Sequence, residues 1–272
     1  ATGTGYLSYI LAAICGASGE MIVLWLQSDW KPKIPRRLNP MGALLRFGFF
    51  ATIESFQGWF LNFGDNFIAG MILGLSALGT YALAFNIMNF SLGALISPVV
   101  SVAYTAFSRL KASREDLKKS YLHLLELVAM IVIPACIGIA IIADPMVQLI
   151  YPGEEWSDLS RIIMVLAIFP GLSFIFILNS ELYRAVGKPE LMPKILLFGL
   201  IYSIPAYILA ARMGLFEFAL ARFSVGFLFF PVHAYFAYKE LQLEKSYLWK
   251  VSRAPLASSF AMGALCLLSI DM

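Results

Sequence analysis

Apolar residues run along this chain in stretches far longer than a soluble core element needs. Runs recur near 6–27, 44–74, 79–107, 121–150, 160–182, 194–211, 216–238 and 255–270. A helix rises about 1.5 Å per residue, so about 20 residues cross about 30 Å of hydrocarbon. The pattern predicts about eight membrane spans. The runs are continuous and lack the alternation of barrel strands, which favours helix. The expected fold is all-α: a polytopic transmembrane helix bundle.

Basic residues orient the spans. Lys31, Lys33, Arg36, Arg37 and Arg46 follow the first run. Arg109, Lys111, Arg114, Lys118 and Lys119 follow the third. Arg184, Lys188 and Lys194 follow the fifth, and Lys239, Lys245, Lys250 and Arg253 the seventh. Together these are 17 of the 20 Lys and Arg residues, whereas the alternate loops carry only Arg161 and Arg212. Positive charge concentrates in cytoplasmic loops, so the basic connectors are placed in the cytoplasm. The same loops can also meet anionic headgroups. Orientation alone accounts for the net charge of +3, and no nucleic-acid partner is implied.

Helix breakers divide the pattern further. The longest connector, 28–43, reads SDWKPKIPRRLNPMGA, and its prolines 32, 35 and 40 forbid a continuous helix. It reads as an extended cytoplasmic linker. Over 108–120, Ser113 and Asp116 fit a capping box, which predicts a short cytoplasmic helix leading into the fourth span. Pro98, Pro134, Pro170, Pro205 and Pro231 fall inside apolar runs, and Pro145 and Pro152 mark the outer end of the fourth. Kinked helices around a cavity and ordinary packing both fit that distribution.

Ionisable groups are costly in a span and usually face a bundle interior or water. The second run holds most of them: Glu54, Gln57, Asn62, Asp65 and Asn66. Glu54, Gly58, Asn62 and Asp65 follow i, i+4, i+8, i+11 and share one helix face, with Gln57 and Asn66 beside it. The stripe is about 16 Å long, at about 1.5 Å per residue. A water-filled path and a seam of interhelical hydrogen bonds, at about 0.6 kcal/mol each, both fit. Two acids in one stripe favour the path. Asn86 and Asn89 in the third run can line it as well. Glu181 and Arg184 are spaced for an intrahelical ion pair. Arg222, inside the seventh run, has three candidate partners: a lipid phosphate, Glu217 or Asp65.

Composition agrees with lipid as the solvent. The chain of 272 residues is 60% hydrophobic and 14% charged, against about 25% charged in soluble domains. These numbers argue against a soluble enzyme. Cys15, Cys136 and Cys266 lie far apart in apolar runs and read as small packing residues. Two histidines, His123 and His233, leave little material for a metal site or a triad, and no catalytic motif is found. No catalytic, metal or cofactor residue is therefore assigned. The chain starts at Ala1 and its last apolar run stops at Ile270, so a fragment is expected.

The residues at 65–81, DNFIAGMILGLSALGTY, resemble the "D-x-x-I-x-G-x-x-L-G-x-x-x-L-G-x-Y" stretch of polysaccharide and lipopolysaccharide flippases. These belong to the multidrug/oligosaccharidyl-lipid/polysaccharide exporter superfamily, in the branch related to colanic acid exporters. RFGFFATIE at 46–54, PVVSVAYTAFSRL at 98–110, the stretch 134–156 and AVGK at 185–188 resemble further family segments in the same order. Two positions depart from the pattern: Met71 stands where a basic residue is common, and Thr105 where proline is usual.

The resemblance implies part of a two-lobed exporter fold. Residues 1–28 are the last helix of the first lobe, 29–43 the cytoplasmic inter-lobe linker, and 44–238 six helices of the second lobe. Residues 239–272 are a cytoplasmic loop and a further, truncated helix. It also implies an inner-membrane flippase, not an enzyme, that moves lipid-linked oligosaccharide by alternating access with Na⁺ or H⁺ as possible coupling ion. Glu54, Gln57, Asn62, Asp65, Asn66, Asn86 and Asn89 would line the pathway, with Arg184 or Arg222 attracting the diphosphate. Expected partners are the lipid-linked substrate, membrane lipid, and a polysaccharide polymerase and glycosyltransferases acting in the same process. A drug/cation antiporter of the same superfamily is the nearest rival. A polysaccharide ligase or polymerase fits poorly, because the outer loops are short, and the buried acids argue against a purely structural subunit.

Overall fold

The computed structural model describes residues 5–28, 41–173 and 176–270. The described elements are helical: α1 (Gly5–Gln27), α2 (Met41–Ile72), α3 (Leu75–Leu110), α4 (Arg114–Ile150), α5 (Leu159–Ser173), α6 (Phe176–Ala185), α7 (Leu191–Ala211), α8 (Leu215–Leu241) and α9 (Tyr247–Ile270), with one 3-10 turn at Glu154–Trp156. Seven of the eight predicted spans each match one helix. The fifth, 160–182, covers α5 and α6, and residues 174–175 lie outside the described residues. Residues 29–40 of the predicted linker also lie outside them.

By length and composition, five described helices can cross a membrane by themselves: α1 through its stretch Ile10–Gln27, α3, α4, α7 and α8. α2 is not among them, because Glu54, Gln57, Asn62, Asp65 and Asn66 lower its hydropathy. The short helix expected over 108–120 is absent as a separate element. Instead α3 continues to Leu110, and α4 starts at Arg114 and runs unbroken to Ile150. Ser113 caps α4 by accepting from the Asp116 N–H at 3.3 Å. Nothing between Ser113 and Pro134 interrupts the helix, so cap and span join. Pro98, Pro134, Pro145, Pro205 and Pro231 all lie inside helices.

The chain divides into two compact units, Ala1–Leu45 and Arg46–Met272. In the second, α4 packs against α5, α9 and α3, while α8 packs against α5 and α7 and α3 also meets α5 and α6. Lipid tails are as apolar as leucine, so close packing and polar contacts must select this arrangement. Tyr81, Phe107, Tyr121, Leu125, Ile163, Leu178, Tyr183 and Phe218 are fully buried. Phe90, Leu149 and Phe260 point outward, as lipid-facing residues do. α7 and α8 approach closely where Gly199 meets Phe229; a Cβ at Gly199 would overlap the ring.

The connectors explain two of the motif glycines. Gly74, at φ +89, turns the chain from α2 into α3. Gly187 of AVGK, at φ +78, ends α6 in the left-handed conformation. There the Lys188 N–H donates to the Tyr183 carbonyl at 2.8 Å, closing the six-to-one bond of a glycine-terminated helix. A side chain at either position would strain the backbone. Three basic connectors then meet at one end of the bundle. Arg114 donates to the Glu240 carbonyl at 2.6 Å and covers the last turn of α8. Lys188 pairs with Glu240 at 2.6 Å. The charge count requires these connectors on one side, and their contacts put them there.

Candidate functional site

α2 carries its polar stripe into the second unit, and each of its two acids meets an arginine far away in sequence. Asp65 accepts from Arg222 Nη1 of α8 and from the Tyr81 hydroxyl of α3, the latter at 2.5 Å. Its other oxygen takes the Asn66 backbone N–H at 2.9 Å. Arg222 also lies over the Phe85 ring, 4.3 Å from its centroid, where the ring quadrupole attracts the cation. Asp65 is 1% exposed and Arg222 6%. Tyr81 stacks edge-on against Phe218, which in turn meets Tyr207. Of the three partners considered for Arg222, Asp65 is the one it takes. The pair is buried and ties α2, α3 and α8 together.

Glu54 sits eleven residues earlier on the same face. Ser180 of α6 donates to Glu54 Oε1. Arg184 reaches the same carboxylate through Nη2 at 3.1 Å and Nε at 3.3 Å. Its remaining nitrogen, Nη1, holds Glu181 at 3.1 Å, the intrahelical pair expected from spacing. Arg184 keeps 26% of its side chain exposed. Arg184 and Glu181 line a groove of about 500 Å³ with Ser55, Ser101 and Tyr104.

Between the two acids the stripe opens onto space. A cavity of about 350 Å³ is lined by Asn62, Arg222, Tyr207, Phe229 and His233, among others. A smaller one, about 80 Å³, shares Asn62 and Arg222 and adds Phe85 and Asn89. Asn62 and Asn89 are exposed, and each donates only to its own helix, to the Gly58 carbonyl at 2.9 Å and the Phe85 carbonyl at 3.1 Å. Asn86 is exposed. Among the described residues, Gln57 Oε1 and Asn66 Oδ1 are buried without a hydrogen-bond partner. The structure thus brings together Asn62, Asn89, Asp65 and Arg222 at one place, and Glu54 with Arg184 at another.

One polar network escaped the sequence reading. Asn179 of α6 accepts from the Tyr121 hydroxyl at 2.7 Å, and its amide nitrogen reaches the Tyr183 hydroxyl at 3.3 Å and the His233 carbonyl at 3.1 Å. All four residues are buried, and the His233 ring stacks on Phe176 at 4.3 Å. Tyrosines in an apolar run look like core, and their hydroxyls carry no period. The signal was Asn179 itself, an amide one helical turn before Tyr183.

Comparisons with known proteins follow the same line. A family profile described as "Polysaccharide biosynthesis protein" matches residues 1–161. The chain belongs to this family. It is 26% identical over 188 residues to the teichuronic acid biosynthesis protein TuaB of Bacillus subtilis, covering 68% of this chain and 38% of the relative. It is 24% identical over 185 residues to the lipopolysaccharide biosynthesis protein WzxC of Escherichia coli, covering 68% and 37%. The chain thus spans less than two-fifths of the length of these relatives. A crystal structure of a mutant MATE protein superposes with a TM-score of 0.60 at 17% identity, covering 84% of this chain and 54% of the other. The fold is that of an all-helical transporter, and the chain is a multi-pass membrane protein.

Proposed function

We propose that this chain is part of an inner-membrane flippase for lipid-linked oligosaccharide. Residues 1–28 would close the first lobe, 29–43 would link the lobes, and 44–238 would form the second. The observation that carries the reading is the pair of cavities sharing Asn62 and Arg222 beside a buried acid, inside a bundle of the polysaccharide biosynthesis family. Amides and the Tyr207 hydroxyl at this place suit sugar hydroxyls, which need donors and acceptors once water is lost. Arg184, 26% exposed at its groove, is the arginine better placed for a diphosphate, because Arg222 is already held by Asp65 and Tyr81 and covered by Phe85. Rocking of two lobes carries the headgroup across while the lipid tail stays in the bilayer. No bond is made or broken, so the protein acts as a transporter and not as an enzyme.

The antiporter reading needs carboxylates free to take a cation. Glu54 and Asp65 are held by arginines, which favours the glycan reading. The test is translocation of lipid-linked oligosaccharide by the full-length protein carrying Asn62→Leu and Asn89→Leu. Both amides bond only within their own helix, so folding is preserved. Flux should fall about tenfold at equal expression, the equivalent of one lost hydrogen bond of about 1.4 kcal/mol. Wild-type flux in the double variant removes these cavities from the pathway.

A further inference from the structure

A second site lies away from α2, at the basic end of the bundle. There α4 and α9 enclose a groove of about 460 Å³ lined by Lys118, Lys119, His123, Tyr247, Lys250 and Val251. Leu122, Glu126 and Glu244 line it as well. Three lysines outnumber the two acids, and both acids are exposed. Lys250 pairs with Glu244, and Lys119 pairs with Glu115 on its own helix at 3.9 Å. Among the described residues, Lys118 and His123 make no hydrogen bond or ion pair.

Further exposed residues lie on the two helices beyond the groove. Lys119, His123, Glu126 and Met130 follow i, i+4, i+7, i+11 along α4, and Met130 is 62% exposed. On α9, Ala254, Ala257 and Ala261 follow Lys250 at the same spacing, all exposed. The groove lies at the end of the bundle that positive charge assigns to the cytoplasm, and its own lining joins the lysines to the apolar side chains of Leu122 and Val251. A free phosphate engages only the lysines, whereas a lipid brings apolar carbon to Leu122 and Val251 as well as a phosphate to the lysines.

We propose that the α4–α9 groove binds the headgroup of an anionic phospholipid of the inner leaflet, with Lys118 and Lys250 facing the phosphate. Glu244 opposes that binding and Lys118 drives it. The site is independent of the cargo pathway, with which it shares no residue.

The test uses full-length protein in a non-ionic detergent, titrated with phosphatidylglycerol, phosphatidylcholine or inorganic phosphate. Native mass spectrometry counts retained lipid. Wild type retains phosphatidylglycerol in preference to phosphatidylcholine. Lys118→Gln and Lys250→Gln each weaken that retention about fivefold, the usual contribution of one lysine near an anionic surface. Lys245→Gln, in the same connector but outside the groove, leaves it unchanged. Glu244→Gln strengthens it, which a purely structural role for the groove does not predict, and this variant removes no lysine that folding needs. Equal retention by wild type and the lysine variants, or an equal loss with Lys245→Gln, overturns the proposal. Displacement of phosphatidylglycerol by millimolar inorganic phosphate also overturns it and assigns the groove to a free anion.

Discussion

The two acids of α2 share one helix face and meet the same kind of partner, yet their surroundings differ. At Asp65 the arginine is enclosed: Tyr81 donates from one side, Phe85 covers the guanidinium, and 6% of Arg222 remains exposed. At Glu54 the arginine bridges two carboxylates, Glu54 and Glu181, and keeps 26% of its side chain open to a groove. The difference teaches what each pair can do. The buried pair, held by Tyr81 as well, acts as a tie between α2, α3 and α8. Arg184 already divides itself between two acids, and a third anion entering from the groove can compete for it.

The sharpest way to break the comparison is to remove the acid at the buried end. Asp65→Asn leaves Arg222 charged and uncompensated, and breaking a buried pair costs about 3–5 kcal/mol. Replacing both partners, with Asp65→Leu and Arg222→Met, should recover most of that loss, because two desolvation penalties vanish together. Reversible unfolding in mixed micelles measures both. A single variant as stable as wild type would show that Arg222 reaches water or another acid, and the two ends of α2 would then be alike.

The middle case is Glu54→Gln. Arg184 keeps Glu181 and its contact with the groove, and the amide oxygen still accepts from Ser180. The loss should be that of a charged hydrogen bond, about 1–3 kcal/mol. The same unfolding assay ranks the two ends directly. A loss at Glu54 equal to that at Asp65 would mean that burial does not set the strength of these pairs.

The stripe was visible before the structure because charge inside a long apolar run is rare and because Glu54 and Asp65 lie eleven residues apart, three helical turns. The Glu181–Arg184 pair was equally visible, since both partners lie on one helix. Partners across the bundle were not. Asp65 and Arg222 are separated by 157 residues, and nothing local in either run selects one arginine over another. The helices followed from hydrophobic length, five of them long and apolar enough to span, and the turns at Gly74 and Gly187 stood in the motifs without their reason: a positive φ is a property of the backbone path, not of composition. The start of α4 was misread for a related cause. A cap marks where a helix begins but says nothing of how far it runs, and the helix begun at Ser113 continues through the predicted span.

The exposed pair Glu244–Lys250 completes the series. Its side chains are 63% and 58% exposed, so water screens it and its effect on stability should be the smallest of the three. The hydrogen bond from Lys250, the charge of Lys250 and that of Lys118 hold the Glu244 carboxyl below its ordinary value of 4.5. A depressed carboxylate stabilises the fold above the unfolded value, and that contribution is lost as pH falls through the folded one. Wild type should therefore melt slightly above Glu244→Gln near neutrality, in detergent without anionic lipid. The difference should close in acid well below 4.5. It should also shrink in high salt at neutral pH, where exposed pairs are screened within a few ångströms, while the Asp65 variant keeps its full deficit. A Glu244 difference that survives both acid and salt would have to come from packing, and burial would no longer order the three pairs.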